Sequence, residues 1–152
     1  PEFAGEFYRY SGLKFSPKPL QKPYPPLLIG GSSAAAHARV ARFGDGWHTL
    51  RQSPRQFAEG RQKIIALCDA AGRDPSALQY SLALPLKFTG KAPSQLVQDR
   101  TALTGTDEDI ADTILAYQAA GVDELVVGVS SADVTENTDA LSRLMQQIWA
   151  KL

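Results

Sequence analysis

From residue 27 onward the apolar positions alternate between short dense runs and longer stretches in which they keep to one helical face. Leu27-Leu28-Ile29 is a short apolar run closed by Gly30-Gly31-Ser32-Ser33, and the alanine-rich segment 34–43 that follows predicts a helix stopped at Gly44. A second unit starts with Gly46-Trp47-His48-Thr49-Leu50. Ser53-Pro54 then supplies an N-cap and a proline for the first helical position, predicting a helix to about Ala71, closed by Gly72. Phe57, Ile64, Cys68 and Ala71 share one face of it, and Arg55, Glu59, Arg61 and Lys63 form its charged exterior. The third unit has a strand within 78–88 that Pro85 is expected to end or bend. After a long polar connection, Thr106-Asp107-Glu108-Asp109 places an N-cap hydroxyl and three acids where a helix dipole favours them, and the helix runs to Ala120, before Gly121. The fourth unit pairs the apolar strand 124–129 with a helix whose Leu141, Leu144, Met145, Ile148 and Leu152 fall on one face.

Strands separated by helices of ten or more residues require crossover connections, and apolar strands without alternation are expected to be buried on both faces, so the class is α/β with a parallel sheet. Four βα units occupy residues 27–152. A closed barrel takes about 250 residues, and a doubly wound sheet usually has more strands, so the chain reads as half of a larger architecture. Residues 1–26 hold six of the ten prolines and predict a loop-like arm. No methionine opens the sequence, and Pro1 is expected to be a boundary within something longer.

Charge and composition narrow the partners. Sixteen basic residues balance sixteen acidic ones, which gives no basic footprint for nucleic acid or an anionic membrane. One cysteine, Cys68, allows neither an internal disulfide nor a cysteine-rich metal site, and its helical spacing assigns it to the core. No apolar run approaches the ~18 residues of a membrane span. The expectation is a cytoplasmic, reduced protein. A P-loop, a His-Glu-x-x-His helix, paired cysteines and a Gly-x-Ser-x-Gly elbow are all missing from the sequence, so phosphoryl transfer and zinc hydrolysis have no support.

The positions left for chemistry lie where strands end. Gly30-Gly31-Ser32-Ser33 leaves a strand and opens a helix, where amides and hydroxyls can hold a phosphate; an ordinary tight turn would read the same way. Alternation puts Trp47 and Thr49 on one face and His48 on the other; an inward His48 could donate to a ring or act on a proton, and otherwise it is a satisfied structural histidine. His37, between Ala36 and the basic Arg39 and Arg42, reads as helix surface. Arg51, Lys87 and Ser130-Ser131 could meet an anion at the same end of the sheet or be solvated loop residues. Asp107, Glu108 and Asp109 read as dipole compensation, not catalysis.

The strings Pro25-Pro26-Leu27-Leu28-Ile29-Gly30-Gly31-Ser32, Gly44-Asp45-Gly46-Trp47, Gly105-Thr106-Asp107-Glu108-Asp109-Ile110 and Ala119-Ala120-Gly121-Val122-Asp123-Glu124-Leu125, in this order, resemble the bacterial luciferase-like monooxygenase family. The resemblance implies half of a TIM (β/α)8 barrel, its four C-terminal units, and a cofactor that is flavin mononucleotide (FMN) or the deazaflavin coenzyme F-420. It implies that Gly30, Gly31, Ser32 and Ser33 contact the cofactor phosphate, with Trp47 as a further cofactor-binding candidate; no catalytic residue and no metal are assigned. Four strands leave unpaired edges, so a homodimer that completes the barrel is expected, acting as a scaffold or ligand-binding module if the chain is not part of an oxidoreductase.

Overall fold

The computed structural model describes every residue of the chain except Phe15 and Ser130. The N-terminal arm is not entirely loop: β1 (Phe3–Ala4) and β2 (Arg9–Tyr10) form a small antiparallel hairpin, closed by stacking of the Phe3 and Tyr10 rings at 5.9 Å. It makes a sheet of its own.

The main sheet is parallel. Its strands β3 (Leu28–Gly30), β4 (Gly46–Leu50) and β5 (Gln79–Phe88) are neighbours in that order, and β7 (Glu124–Val129) pairs with β5. The sequence passed over a fifth, short strand, β6 (Leu103–Gly105), which pairs with residues 86–88 of β5. Leu86 faces Leu103 on one edge and Val129 on the other, so β6 extends the β4 side of β5 beyond the end of β4.

That arrangement explains why Pro85 does not end β5. Along β5 the odd-numbered amides point to the β4–β6 edge, as Gln79 does in donating to the Asp45 carbonyl. β4 gives its last contact where Arg51 donates to the Ala83 carbonyl, and β6 begins only opposite Leu86. Pro85 sits in the gap, where a missing N–H costs no ladder bond.

The helices cover one face of the sheet. α1 (Ala34–Phe43) is capped by Ser33, whose Oγ accepts from the Ala36 amide; α2 (Pro54–Ala70) and α3 (Asp107–Ala119) start in capping boxes, Ser53 with Gln56 and Thr106 with Asp109. Beneath them Tyr80, Leu82, Leu84 and Leu86 of β5, Phe57, Ile64 and Cys68 of α2, and Ile110, Ile114 and Tyr117 of α3 form the core. Ala71 lies past the end of α2 and is exposed, not part of its buried face. The last helix is not the continuous amphipathic element its spacing predicts: α4 (Val134–Arg143) passes into a wider π-turn over Leu144–Ile148 and a 3-10 turn over Trp149–Lys151. Of the five residues on its predicted apolar face, Leu144 and Ile148 reach the core, while Leu141, Met145 and Leu152 stay exposed.

The opposite face of the sheet is open. Leu28, Leu50 and Val126, which point away from the helices, are 41%, 63% and 47% exposed, against the expectation of strands buried on both sides. Among the described residues no helix is long and apolar enough to cross a membrane, and no group of His, Cys, Asp and Glu is arranged to hold a metal.

Candidate functional site

The glycine turn lies at the C-terminal end of β3. Gly31 has φ +105°, in the region where a side chain is strained, and its amide donates to the His48 carbonyl at 3.3 Å. Its own carbonyl accepts from the Trp47 indole Nε1–H at 2.6 Å, which pins the turn to the core from behind. Ser32 is exposed, and the Ser33, Ala34 and Ala35 amides, at the start of a ten-residue helix, have no intrahelical acceptor. Outward-facing amides, a free hydroxyl and the positive end of a helix dipole suit a phosphate or another anion.

Trp47, expected beside a cofactor, lies instead behind the turn. It is fully buried, stacked on Phe57 at 4.9 Å and met edge-on by His37 at 5.3 Å. His37 is therefore not helix surface: it is 4% exposed, and burial, helped by the Lys63 charge, lowers its pKa below the ordinary 6.5. The spacing of Ala36, His37, Val40 and Ala41, all buried on one face of α1, carried that signal; the arginines beside it pointed the other way.

His48 does take the face opposite Trp47. Its Nδ1 is 3.0 Å from the Ser81 hydroxyl. Ser81 escaped the sequence reading because only the strand register brings it to His48. Lys87 and Ser131 line one cavity at the C-terminal end of β5 with Pro85, Phe88, Val129 and Glu136; Ser130 lies outside the described residues. Arg51 is not among that cavity's lining residues. It is exposed, in a left-handed backbone conformation (φ +50°) just past β4.

The acidic turn is structural, as its position in the first turn of α3 predicts. Asp109 accepts from Thr106 and pairs with Arg100 at 3.2 Å, and these hydrogen bonds, the Thr106 amide first, hold its carboxyl below the usual range; Asp107 pairs with Arg143 at 2.8 Å. Arg61 is not simply exterior: its guanidinium lies 4.9 Å from the Tyr80 ring centroid, against the α2 face that packs on the sheet. The buried Cys68 thiol has its pKa raised chiefly by desolvation, as fits an inert core cysteine.

A parallel sheet covered by helices on one face, with the glycine turn at the C-terminal end of β3 and the Lys87–Ser131 cavity at that of β5, is the architecture of a (β/α) barrel opened along its length. The sequence pattern of the luciferase-like monooxygenases matches residues 1–92, and the chain belongs to that family. It is 28% identical, over an alignment of 172 residues, to an FMNH2-dependent dimethylsulfone monooxygenase of Pseudomonas putida, covering 83% of this chain and 47% of that one. A monooxygenase from Streptomyces bottropensis superposes with a TM-score of 0.77 at 19% identity, covering 99% of this chain and 55% of that one. The coenzyme F-420-dependent tetrahydromethanopterin reductase of Methanopyrus kandleri gives the same TM-score at 13% identity, covering 99% and 57%. The fold is thus half of a TIM barrel, and the chain spans about half the length of the relatives it matches.

Proposed function

We propose that the chain is the C-terminal half of a flavin- or deazaflavin-dependent oxidoreductase, in which the turn Gly30-Gly31-Ser32-Ser33 holds the cofactor phosphate. The observation that carries this is the turn itself: free amides at the start of α1, an exposed Ser32, and a Gly31 carbonyl drawn back by Trp47 so that the donors face outward. Members of the family that act through FMN or coenzyme F-420 supply the cofactor class. When bound, such a group supplies oxygen activation or hydride transfer; the residues of this chain bind its phosphate and orient it. The half alone lacks the strands that would enclose the ring, so it is proposed to be inactive by itself.

The test is a titration of FMN, followed by its fluorescence, against the chain and a Gly31→Val variant. Phosphate recognition requires FMN to bind more tightly than riboflavin, which has no phosphate, and the variant to lose that advantage by about tenfold, the scale of one or two charge-assisted hydrogen bonds. Equal binding of FMN and riboflavin would remove the turn from the phosphate site.

A second reading is favoured by the open sheet face: the chain completes its barrel by pairing with a second copy of itself, as a scaffold or ligand-binding module. Exposed Leu28, Leu50 and Val126 on that face support it, as do the outer strands β3 and β7, each paired on one side among the described residues.

A further inference from the structure

The registers of three adjacent ladders place Gly30, His48, Ser81 and Glu124 in one row across the open face of the sheet. The next row toward the strand C-termini is apolar: Leu50, Ala83 and Val126. In the polar row Ser81 is fully buried, and His48 Nδ1, 3.0 Å away, is the partner of its hydroxyl. Glu124, on the other side of Ser81, accepts instead from Gln79 Nε2 at 3.4 Å. A serine hydroxyl can give its one proton to Nδ1 or accept a proton from it. Where Ser81 donates, the ring proton is on Nε2, which has no protein hydrogen-bond partner among the described residues. His48 is only half-buried, which leaves Nε2 open to water or to a ligand.

Beside His48 there is room. Gly30, its neighbour in the row, has no side chain, and the nearest atom to where a Cβ would stand is the His48 carbonyl oxygen, 3.9 Å off. Gly30 also immediately precedes Gly31 of the turn. Strand spacing puts Gly30 and His48 about 4.8 Å apart.

We propose that Ser81 fixes the His48 tautomer so that Nε2–H donates a hydrogen bond to a ring carbonyl of the bound flavin-type cofactor, with Gly30 leaving the imidazole uncovered on its side. This rests on the cofactor reading above and adds His48 as a ligand-binding residue and Ser81 as its positioning residue.

The experiment combines nitrogen NMR of the imidazole in alkaline buffer with titration of FMN and riboflavin into the full chain and its His48→Leu, His48→Gln and Ser81→Ala variants. The free protein is expected to show the Nε2–H tautomer, with Ser81→Ala giving a mixture. His48→Leu should weaken FMN and riboflavin by the same factor, about tenfold for one lost hydrogen bond with a buried acceptor, because the contact is to the ring and not the phosphate. His48→Gln, whose amide nitrogen reaches a similar position, should recover most of that loss. An Nδ1–H tautomer in the free protein overturns the proposal without need of any variant. So does flavin binding that His48→Leu leaves unchanged, with the cofactor reading intact. Failure of the unaltered chain to bind FMN, riboflavin and, in the same titration, coenzyme F-420 overturns the cofactor reading and the ring contact together.

Discussion

At the scale of single residues, His37 shows how burial turns a titratable group into a pH-dependent element of stability. The folded chain holds its imidazole behind α1 against Trp47, where desolvation and the Lys63 charge disfavour the proton. The unfolded chain takes that proton at the ordinary value of 6.5. Below that pH the unfolded state therefore binds more protons than the folded one, and the stability contributed by neutral His37 is present above 6.5 and lost as pH falls toward the lower folded value. Thermal melts on either side of 6.5 should show Tm falling on the acid side, and His37→Phe, which keeps an aromatic edge against Trp47, should flatten that fall. Parallel curves for the two proteins would place the acid sensitivity elsewhere. His37 also shows what sequence could and could not reveal at this scale. Its helical spacing with Val40 and Ala41 was legible, whereas its contact with Trp47, sixteen residues after Gly31 yet bonded to it, exists only once β4 is laid beside β3.

At the scale of elements, competing local and tertiary effects can be ranked by magnitude. Gly60 stands in the middle of α2, where glycine costs about 1 kcal/mol relative to alanine. Helix propensity alone therefore predicts that Gly60→Ala stabilises. A Cβ there would lie 2.6 Å from the end of the Trp47 ring, and that ring cannot retreat: Phe57 is stacked on it and Gly31 holds its indole nitrogen. Overpacking a fixed core side chain costs about 1–3 kcal/mol, so the variant should unfold at lower denaturant by a net of up to about 2 kcal/mol; an increase in midpoint would show that the indole has freedom to move. The capped helix starts and the four apolar strands of the parallel sheet were legible because caps, glycine stops and apolar runs are local. Three features were not. β6 is three residues in a polar connection, Pro85 is harmless only because of where β4 ends and β6 begins, and the π-turn after Arg143 interrupts an unbroken apolar spacing. The first two are decided by a neighbour distant in sequence. The glycine turn was legible as a motif, but the His48–Ser81 pair beside it required the register.

At the scale of the whole molecule, the open sheet face sets the assembly problem. Parallel sheets are ordinarily covered on both faces, and this one is covered on one. Leu28, Leu50 and Val126 project into solvent across three strands, an apolar surface of the kind that marks an interface. The edges add to it, because β3 is bonded only to β4 and β7 only to β5 among the described residues. A two-fold axis that brings the β3 edge of one copy beside the β7 edge of the other satisfies both edges at once and closes the two sheets around their apolar faces. Under the self-pairing reading, light scattering gives twice the chain mass of 16.4 kDa. Val126→Lys should then lower the mass toward the monomer, since a lysine at the centre of the closed interior is buried without a partner, at a cost of several kcal/mol. Leu96→Lys, at an exposed position off the sheet, is the control and should leave the dimer intact. A monomer at micromolar concentration overturns self-pairing and assigns the face to the complementary half of a full-length barrel; a dimer that survives Val126→Lys places the contact on another surface and leaves the open face to a ligand.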